Sequence, residues 1–190
     1  RLADEKEIPV FAFVEDVAAS GGYWLASAAD EIFVDATSVV GSIGVISAGF
    51  GMSELIARYG IERRVYTAGT SKSMNDPFKP ENPEDVARLN VILEQLHETF
   101  KQQIRSRRAN KLVERDLFTG EIWVGQGAVD VGLADGVGHL VPTLKERFGK
   151  KVKFRVYGQR KSLLSRIGAS AVGGLAHQIE ERAQFARFGL

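Results

Sequence analysis

Ala18-Ala19-Ser20-Gly21-Gly22 lies between an apolar run and a helix-forming stretch, and a serine in that setting can serve as a nucleophile. A strand-to-helix turn lifts the hydroxyl clear of the sheet, and adjacent glycines let substrate backbone approach. The free N–H groups of the following helix favour developing negative charge. The same residues also suit a plainer role, in which Ser20 caps the helix and the glycines make the turn. A nucleophilic serine further needs a group to take its proton. Of the three histidines, His97 falls in an amphipathic helical pattern, His139 in a late turn and His177 in the C-terminal tail. None of these settings marks a catalytic base. The other candidate is Lys72, in Thr67-Ala68-Gly69-Thr70-Ser71-Lys72-Ser73. A lysine is a base only when neutral, and burial is what brings an amine down from its ordinary value of about 10.4. Taken alone, a lysine in a polar loop is as readily an ordinary solvated side chain.

The surrounding pattern alternates short strands with helices, which implies an α/β layering. Ile8 to Val14 is a near-continuous apolar run and predicts a strand buried on both faces. Tyr23 to Ala29 predicts a buried helix, and Glu31-Ile32-Phe33-Val34 a second strand. Ile43 to Ser47, Arg63 to Thr67, Glu121 to Val124 and Lys151 to Tyr157 read as further strands. Met52 to Tyr59 predicts a helix stopped by Gly60, because glycine tolerates a positive φ. Asn82-Pro83-Glu84-Asp85 is a strong helix start, with an N-cap, a first-turn proline and acids at the positive end. That helix is expected to reach Arg108, with Leu89, Leu93, Leu96, Phe100 and Ile104 on one face. Short helices are expected over Gln126 to Val131 and Val141 to Phe148.

The 190 residues suffice for one full core. Lys+Arg 25 against Asp+Glu 24 leaves a net charge of +1, so the chain lacks the basic excess of a nucleic-acid binder. The basic cluster of Arg105, Arg107, Arg108 and Lys111 falls at a helix end, where cations complement the dipole. The absence of cysteine removes disulfides, thiol nucleophiles and thiolate metal sites together. No ligand cluster with metal spacing is present, and no apolar run approaches the roughly 18 residues of a bilayer span. Residues 1–157 read as one catalytic domain, and residues 158–190 as a linker with an amphipathic helix from Leu175 to Phe188.

Several stretches resemble, in order, the signal peptide peptidase A (protease IV) family of serine–lysine peptidases. They are Ala18 to Trp24, Ala28 to Phe33, Val40-Gly41-Ser42-Ile43-Gly44-Val45, Thr67 to Lys72, Leu117-Phe118-Thr119-Gly120-Glu121 and Gly132-Leu133-Ala134-Asp135-Gly136. The interval of 52 residues between Ser20 and Lys72 also suits that family. The resemblance implies an α/β fold of the Clp/crotonase type, built of stacked ββα units. It implies Ser20 as nucleophile, Lys72 as base, Ser42 as the hydroxyl that holds the lysine, and the Gly21 N–H as an oxyanion donor. Ser42 has a plainer alternative as a turn serine. An oxyanion hole needs a second donor. In the family it comes from an Asn-Ser-Pro-Gly-Gly turn that is absent here, so the N-terminal part of the fold is expected to lie outside this chain. Trp24 stands where tyrosine is common, and Ser73 where an acid often follows the lysine.

The resemblance further implies serine endopeptidase activity on short, largely apolar peptides such as cleaved signal peptides, with no metal or organic cofactor. It implies a homo-oligomeric ring whose sites are shared between subunits, and membrane association only through a segment absent from this chain. Two rival readings stay open. One is a crotonase-like acyl-CoA enzyme, which shares the fold and has no use for Ser20 or Lys72. The other is a non-catalytic scaffold of the same fold.

Overall fold

The computed structural model describes residues 2–69 and 71–157. The chain divides after Lys150 into two units. In the second, residues 151–157 are described, and they form no regular element. The strand expected over Lys151 to Tyr157 is therefore not formed, since a strand exists only with a ladder partner and none is present among the described residues. The Arg155 guanidinium lies 5.1 Å from the Tyr157 ring centroid there. The amphipathic helix expected from Leu175 to Phe188 lies outside the described residues.

In the first unit the elements follow one another as α1 (Leu2–Glu5), β1 (Phe11–Val14), β2 (Val17–Ala19), α2 (Gly21–Ala26), β3 (Glu31–Val34) and β4 (Val39–Gly41). Then come α3 (Ser53–Arg58), α4 (Pro83–Arg108), β5 (Ile122–Val124), α5 (Gln126–Asp130), β6 (Gly136–Val137) and α6 (Leu140–Phe148). They build two three-stranded sheets. The first has the order β1-β3-β6, all parallel, with Phe11 opposite Glu31 and Phe33 opposite Gly136. The second has the order β2-β4-β5, with β2 and β4 parallel and β5 antiparallel to β4. The α/β class is as expected.

Buried side chains from both sheets and three helices form the core: Val14, Ala18, Tyr23, Ile32, Val34, Val40, Ile43, Phe100, Ile104, Leu117, Ala128 and Leu133. The apolar run from Ile8 is less enclosed than its composition suggests. Within β1 only Val14 is buried, because β1 is the sheet's edge strand. Its aromatic residues are covered piecemeal, Phe13 stacking on Phe33 at 5.2 Å and Phe11 meeting Phe148 edge-on at 6.0 Å.

Helix α4 begins and ends where the sequence places it. The Asn82 side chain accepts a hydrogen bond from the Glu84 N–H at 3.0 Å, satisfying one of the first-turn donors. Only its C-terminal half is deeply buried, through Phe100, Ile104 and Arg108, while Leu96 is 51% exposed. Arg108 lies in the last turn of α4, where cations complement the helix dipole, and it is also buried. It is 1% exposed and donates from Nε to the Gly132 carbonyl at 2.9 Å and from Nη1 to Asp135 at 3.0 Å. Asp135 also accepts from the Lys111 ammonium at 2.6 Å and from the Ile32 N–H at 2.7 Å. One carboxylate thus ties the end of α4 to the start of β3. Burial acts to raise the Asp135 carboxyl, but the Arg108, Lys111 and Ile32 hydrogen bonds outweigh it and hold it below its ordinary range.

The strands expected over Ile43 to Ser47 and Arg63 to Thr67 are not formed. The first lies just beyond β4, and residues 43–47 form no regular element, with Ile46 84% exposed. The second likewise forms no regular element, with Tyr66 90% exposed. β2 and β6 were not expected from the pattern. Each is only two or three residues long, below the length at which alternation can be read.

Candidate active site

Ser20 occupies the single residue between β2 and α2. Its backbone N–H donates to the Gly41 carbonyl at 2.8 Å, extending the β2–β4 ladder by one step, and its carbonyl accepts from the Trp24 N–H at 3.0 Å, opening the helix. Serving both elements within one residue forces a sharp turn, and Ser20 adopts φ 51°, ψ −120°. For a residue with a Cβ that region costs roughly 1–3 kcal/mol. The hydroxyl gives no compensating cap: it makes no side-chain hydrogen bond to the helix N-terminus. The helix-cap role considered for Ser20 is therefore not the one it plays. A strained serine with a free hydroxyl at a strand-to-helix corner has the geometry of a nucleophile elbow.

The glycines that follow leave space in front of that hydroxyl. A Cβ on Gly21 would meet no atom within 4 Å, and Gly21 itself is exposed. Packing therefore places no demand for glycine there, whereas close approach of another backbone would. Behind the corner, Tyr23 is fully buried and donates its phenol to the Leu133 carbonyl at 2.8 Å. Burial pushes that phenol well above its ordinary value, so it remains a neutral donor. Trp24 stacks on Phe100 of α4 with centroids 5.0 Å apart, while its neighbour Leu25 stays 76% exposed.

Ser42 sits at the corresponding point of the adjacent strand. Ala19 pairs with Gly41, so Ser20 and Ser42 both follow directly on the ends of neighbouring parallel strands. Ser42 also has a positive φ, 50°. Its N–H donates to the Glu121 carbonyl at 2.7 Å, and its carbonyl accepts from Gly44 at 2.9 Å. The Val40–Val45 and Leu117–Glu121 stretches meet here. A Cβ on Gly44 would lie 3.3 Å from the Gly120 Cα, and one on Gly41 would lie 2.7 Å from the Trp123 ring. His97 of α4 completes the surroundings, its Nε2 3.2 Å from the Ile43 carbonyl.

Lys72 is not hydrogen-bonded to this corner. It is exposed, in a turn where its N–H donates to the Gly69 carbonyl at 3.2 Å. Its ammonium makes no hydrogen bond or ion pair among the described residues, to Ser20 or Ser42 included. The neighbouring side chains are well partnered. Ser71 accepts a hydrogen bond from Arg88 Nη1, and Ser73 accepts one from the Lys79 ammonium at 3.1 Å. Asp76 receives Arg63 Nε at 2.9 Å and the Phe78 N–H at 3.1 Å, and the Arg63 hydrogen bond holds its carboxyl below the ordinary range. Sequence reading missed Arg63, Lys79 and Arg88. Charge in a polar stretch carries no sign of which hydroxyl it will bind. The structure thus places Ser20 and Ser42 at the ends of one pair of strands, with Gly21 opening the helix after Ser20, and holds Lys72 in an exposed turn.

The sequence is similar to those of known proteins. The model for peptidase family S49 matches residues 3–153. "Probable protease SohB" of Haemophilus influenzae is 30% identical over 88% of this chain and 47% of its own length. "Serine protease SPPA, chloroplastic" of Arabidopsis thaliana is 30% identical over 90% of this chain and 27% of its own length. A Brucella melitensis protein named "Na(+)/H(+) antiporter NhaA" is 45% identical over the whole chain, which spans 28% of that protein. The chain therefore spans less than half the length of each of these three relatives. The match runs from α1 to just past α6 and takes in the Ser20 corner, the Ser42 turn and the Lys72 loop alike: the chain belongs to peptidase family S49.

Proposed function

We propose that this chain carries the catalytic serine of a peptidase and hydrolyses peptide bonds through an acyl-enzyme, with Ser20 as nucleophile and Lys72 as base. The observation that carries the reading is Ser20 itself, strained into a positive φ with an uncapped hydroxyl and open space beside Gly21. In the proposed reaction the neutral Lys72 amine takes the Ser20 proton as Oγ bonds to the scissile carbonyl carbon. The Gly21 N–H donates to the oxyanion. As the C–N bond breaks, the lysine's proton passes to the leaving amine, and water then releases the acyl group by the same steps reversed in role. Ser42 is proposed to orient the lysine. Family membership supports the peptidase class, and the printed name of the Arabidopsis relative supports the serine type. Short, largely apolar peptides such as cleaved signal peptides are the proposed substrates.

The exposed, unpartnered Lys72 favours a shared site, completed in a homo-oligomeric ring where a neighbouring subunit removes the amine from water. Ion transport, named for the Brucella relative, is not proposed: the chain matches 28% of that protein, and among the described residues no helix is long and apolar enough to cross a membrane.

The test uses the full-length protein, a fluorophosphonate probe and a peptide substrate. Wild type should be labelled at Ser20, and Ser20→Ala should lose both label and turnover while keeping its fold. Lys72→Arg should be as inactive as Lys72→Ala, because a guanidinium stays charged. Rates should fall by roughly four orders of magnitude or more. Peptide turnover that survives in Ser20→Ala would overturn Ser20 as nucleophile; a wild type inert to probe and peptide would leave the acyl-CoA reading if it turns over an acyl-CoA, and the scaffold if it does not.

A further inference from the structure

We propose that His97 is a positioning residue that acts through Ser42, holding the backbone beside that serine from α4. The inference rests on the reading above that Ser42 orients Lys72. It starts from a buried backbone group. Ile43 is fully buried, and no backbone N–H donates to its carbonyl among the described residues. The partner of that carbonyl is a side chain, His97, whose Nε2 lies 3.2 Å away. A carbonyl oxygen only accepts, so Nε2 carries the hydrogen and donates. An unpaired buried carbonyl is costly, and without this donor it would reach water only by a shift of the turn. The residue that such a shift would carry with it is Ser42.

The rest of the turn is fixed by backbone alone. Ser42 donates its N–H to the Glu121 carbonyl and accepts from the Gly44 N–H, and Gly41 before it pairs with Ala19 and Ile122 in the sheet. Only the next carbonyl along, that of Ile43, is left to α4. The helix is a firm support at this point. Phe100, three residues after His97, is buried and stacks on Trp24 of α2, and Ile104 beyond it is buried too. Residues three apart are neighbours on a helix surface. One side of α4 therefore meets the Ser42 turn through His97 and the helix that follows Ser20 through Phe100. The cations that border the same cavity as His97 are engaged elsewhere: Lys101 with Glu94 and Glu98, Arg105 with Glu98, and Arg115 with Glu121. The imidazole is the group that meets the carbonyl, and it acts as a hydrogen-bond donor to backbone, not as a base.

The test measures peptide turnover and the rate of fluorophosphonate labelling in the full-length protein, at a temperature where circular dichroism shows every variant folded. His97→Leu keeps the bulk and loses the donor. An unmet buried carbonyl should leave the competent turn about tenfold less populated, so kcat and the labelling rate should fall by about that factor with KM little changed. His97→Gln, whose amide N–H can reach the same carbonyl, should recover most of the loss. Ser42→Ala should be slower than His97→Leu. Adding His97→Leu to Ser42→Ala should slow labelling no further, because the histidine has then lost the group through which it acts. Wild-type rates in His97→Leu, equal losses in the Leu and Gln variants, or losses that multiply in the double variant would each overturn the proposal and leave the role of Ser42 standing. Wild-type rates in Ser42→Ala would overturn that role and this inference together.

Discussion

The Ser20 corner and the Lys72 loop contribute to one proposed site and are held by different forces. At the corner the backbone does the positioning. Hydrogen bonds from the Ser20 N–H to the Gly41 carbonyl and from the Ser42 N–H to the Glu121 carbonyl fix both serines, and buried side chains such as Tyr23, Val40 and Ile43 back them. In the loop, side chains do it: Arg88, Lys79 and Arg63 reach across to Ser71, Ser73 and Asp76 on an open surface. A backbone ladder over a core tolerates almost no change of shape, since interiors are close-packed. Exposed side-chain bonds each add about 1 kcal/mol or less and yield to salt and substitution. The proposed nucleophile is thus built into the fold, while the proposed base sits on an exposed surface turn.

Two glycines with the same φ of +101° allow this contrast to be measured directly. Gly41 ends β4 beneath the corner, and an added Cβ would lie 2.7 Å from the Trp123 ring and 2.9 Å from the Glu121 carbonyl. Gly69 precedes the Lys72 turn, and an added Cβ would meet nothing within 4 Å. Gly41→Ala should therefore combine backbone strain with overlap in a packed region and cost roughly 3–5 kcal/mol. Gly69→Ala should cost only the strain, roughly 1–2 kcal/mol. Denaturant unfolding of the two variants of the full-length protein provides the comparison. Equal losses would mean that the loop is as tightly enclosed as the corner.

How far the sequence reveals each region follows the same division. The corner is legible because its signals are local: an apolar run, a Ser-Gly-Gly turn and a helix start. Helix α4 is legible from Asn82 to Arg108 for the same reason. The strands were harder. Val39 to Val45 is apolar apart from Ser42 and its glycines, and only the partners in β2 and β5 decide that the ladder covers Val39–Gly41 and stops at the positive φ of Ser42. Arg63 to Thr67 and Lys151 to Tyr157 have strand composition without a partner among the described residues. The burial of Arg108 did leave a trace. It continues the four-residue series from Phe100 through Ile104, a spacing that points inward whatever the residue's charge. The partners of the Lys72 loop left none, because hydroxyl–cation contacts on a surface have no periodicity.

The second way to sharpen the comparison is acid. The corner is linked through Tyr23 to the Leu133 carbonyl, and that turn also carries Asp135 with its Arg108, Lys111 and Ile32 partners. Arg108→Met should cost about 3 kcal/mol, since it leaves a largely buried carboxylate short of its principal partner. Asp135 has a folded value below its unfolded one. Its contribution is therefore complete above the ordinary carboxylate range and is lost as pH falls through the folded value. Asp135→Asn should be less stable than wild type at neutral pH, and the gap should narrow on acidification. A gap independent of pH would show that the carboxylate's charge is not what ties α4 to β3.

The smallest expected effect isolates the strain at the nucleophile. At φ 51°, ψ −120°, Ser20 holds a conformation that glycine enters freely and residues with a Cβ do not. Its hydroxyl makes no capping bond, so removing the side chain sacrifices no hydrogen bond to the helix. Ser20→Ala keeps the Cβ and hence the strain, and its stability should lie within about 0.5 kcal/mol of wild type. Ser20→Gly releases the strain but makes the unfolded chain more flexible, a cost of roughly 0.4–1 kcal/mol. Set against strain of roughly 1–3 kcal/mol, the balance should favour Ser20→Gly over Ser20→Ala by about 1 kcal/mol, with both variants inactive. Lys72→Gly offers the counterpart, because Lys72 does not occupy a positive φ, and glycine there should only destabilise. Opposite signs at the two positions would mean that conformational energy is stored at Ser20 and not at Lys72. If Ser20→Gly proved the less stable of the two Ser20 variants, the corner would be a relaxed turn, and the strongest structural argument for its serine would be lost.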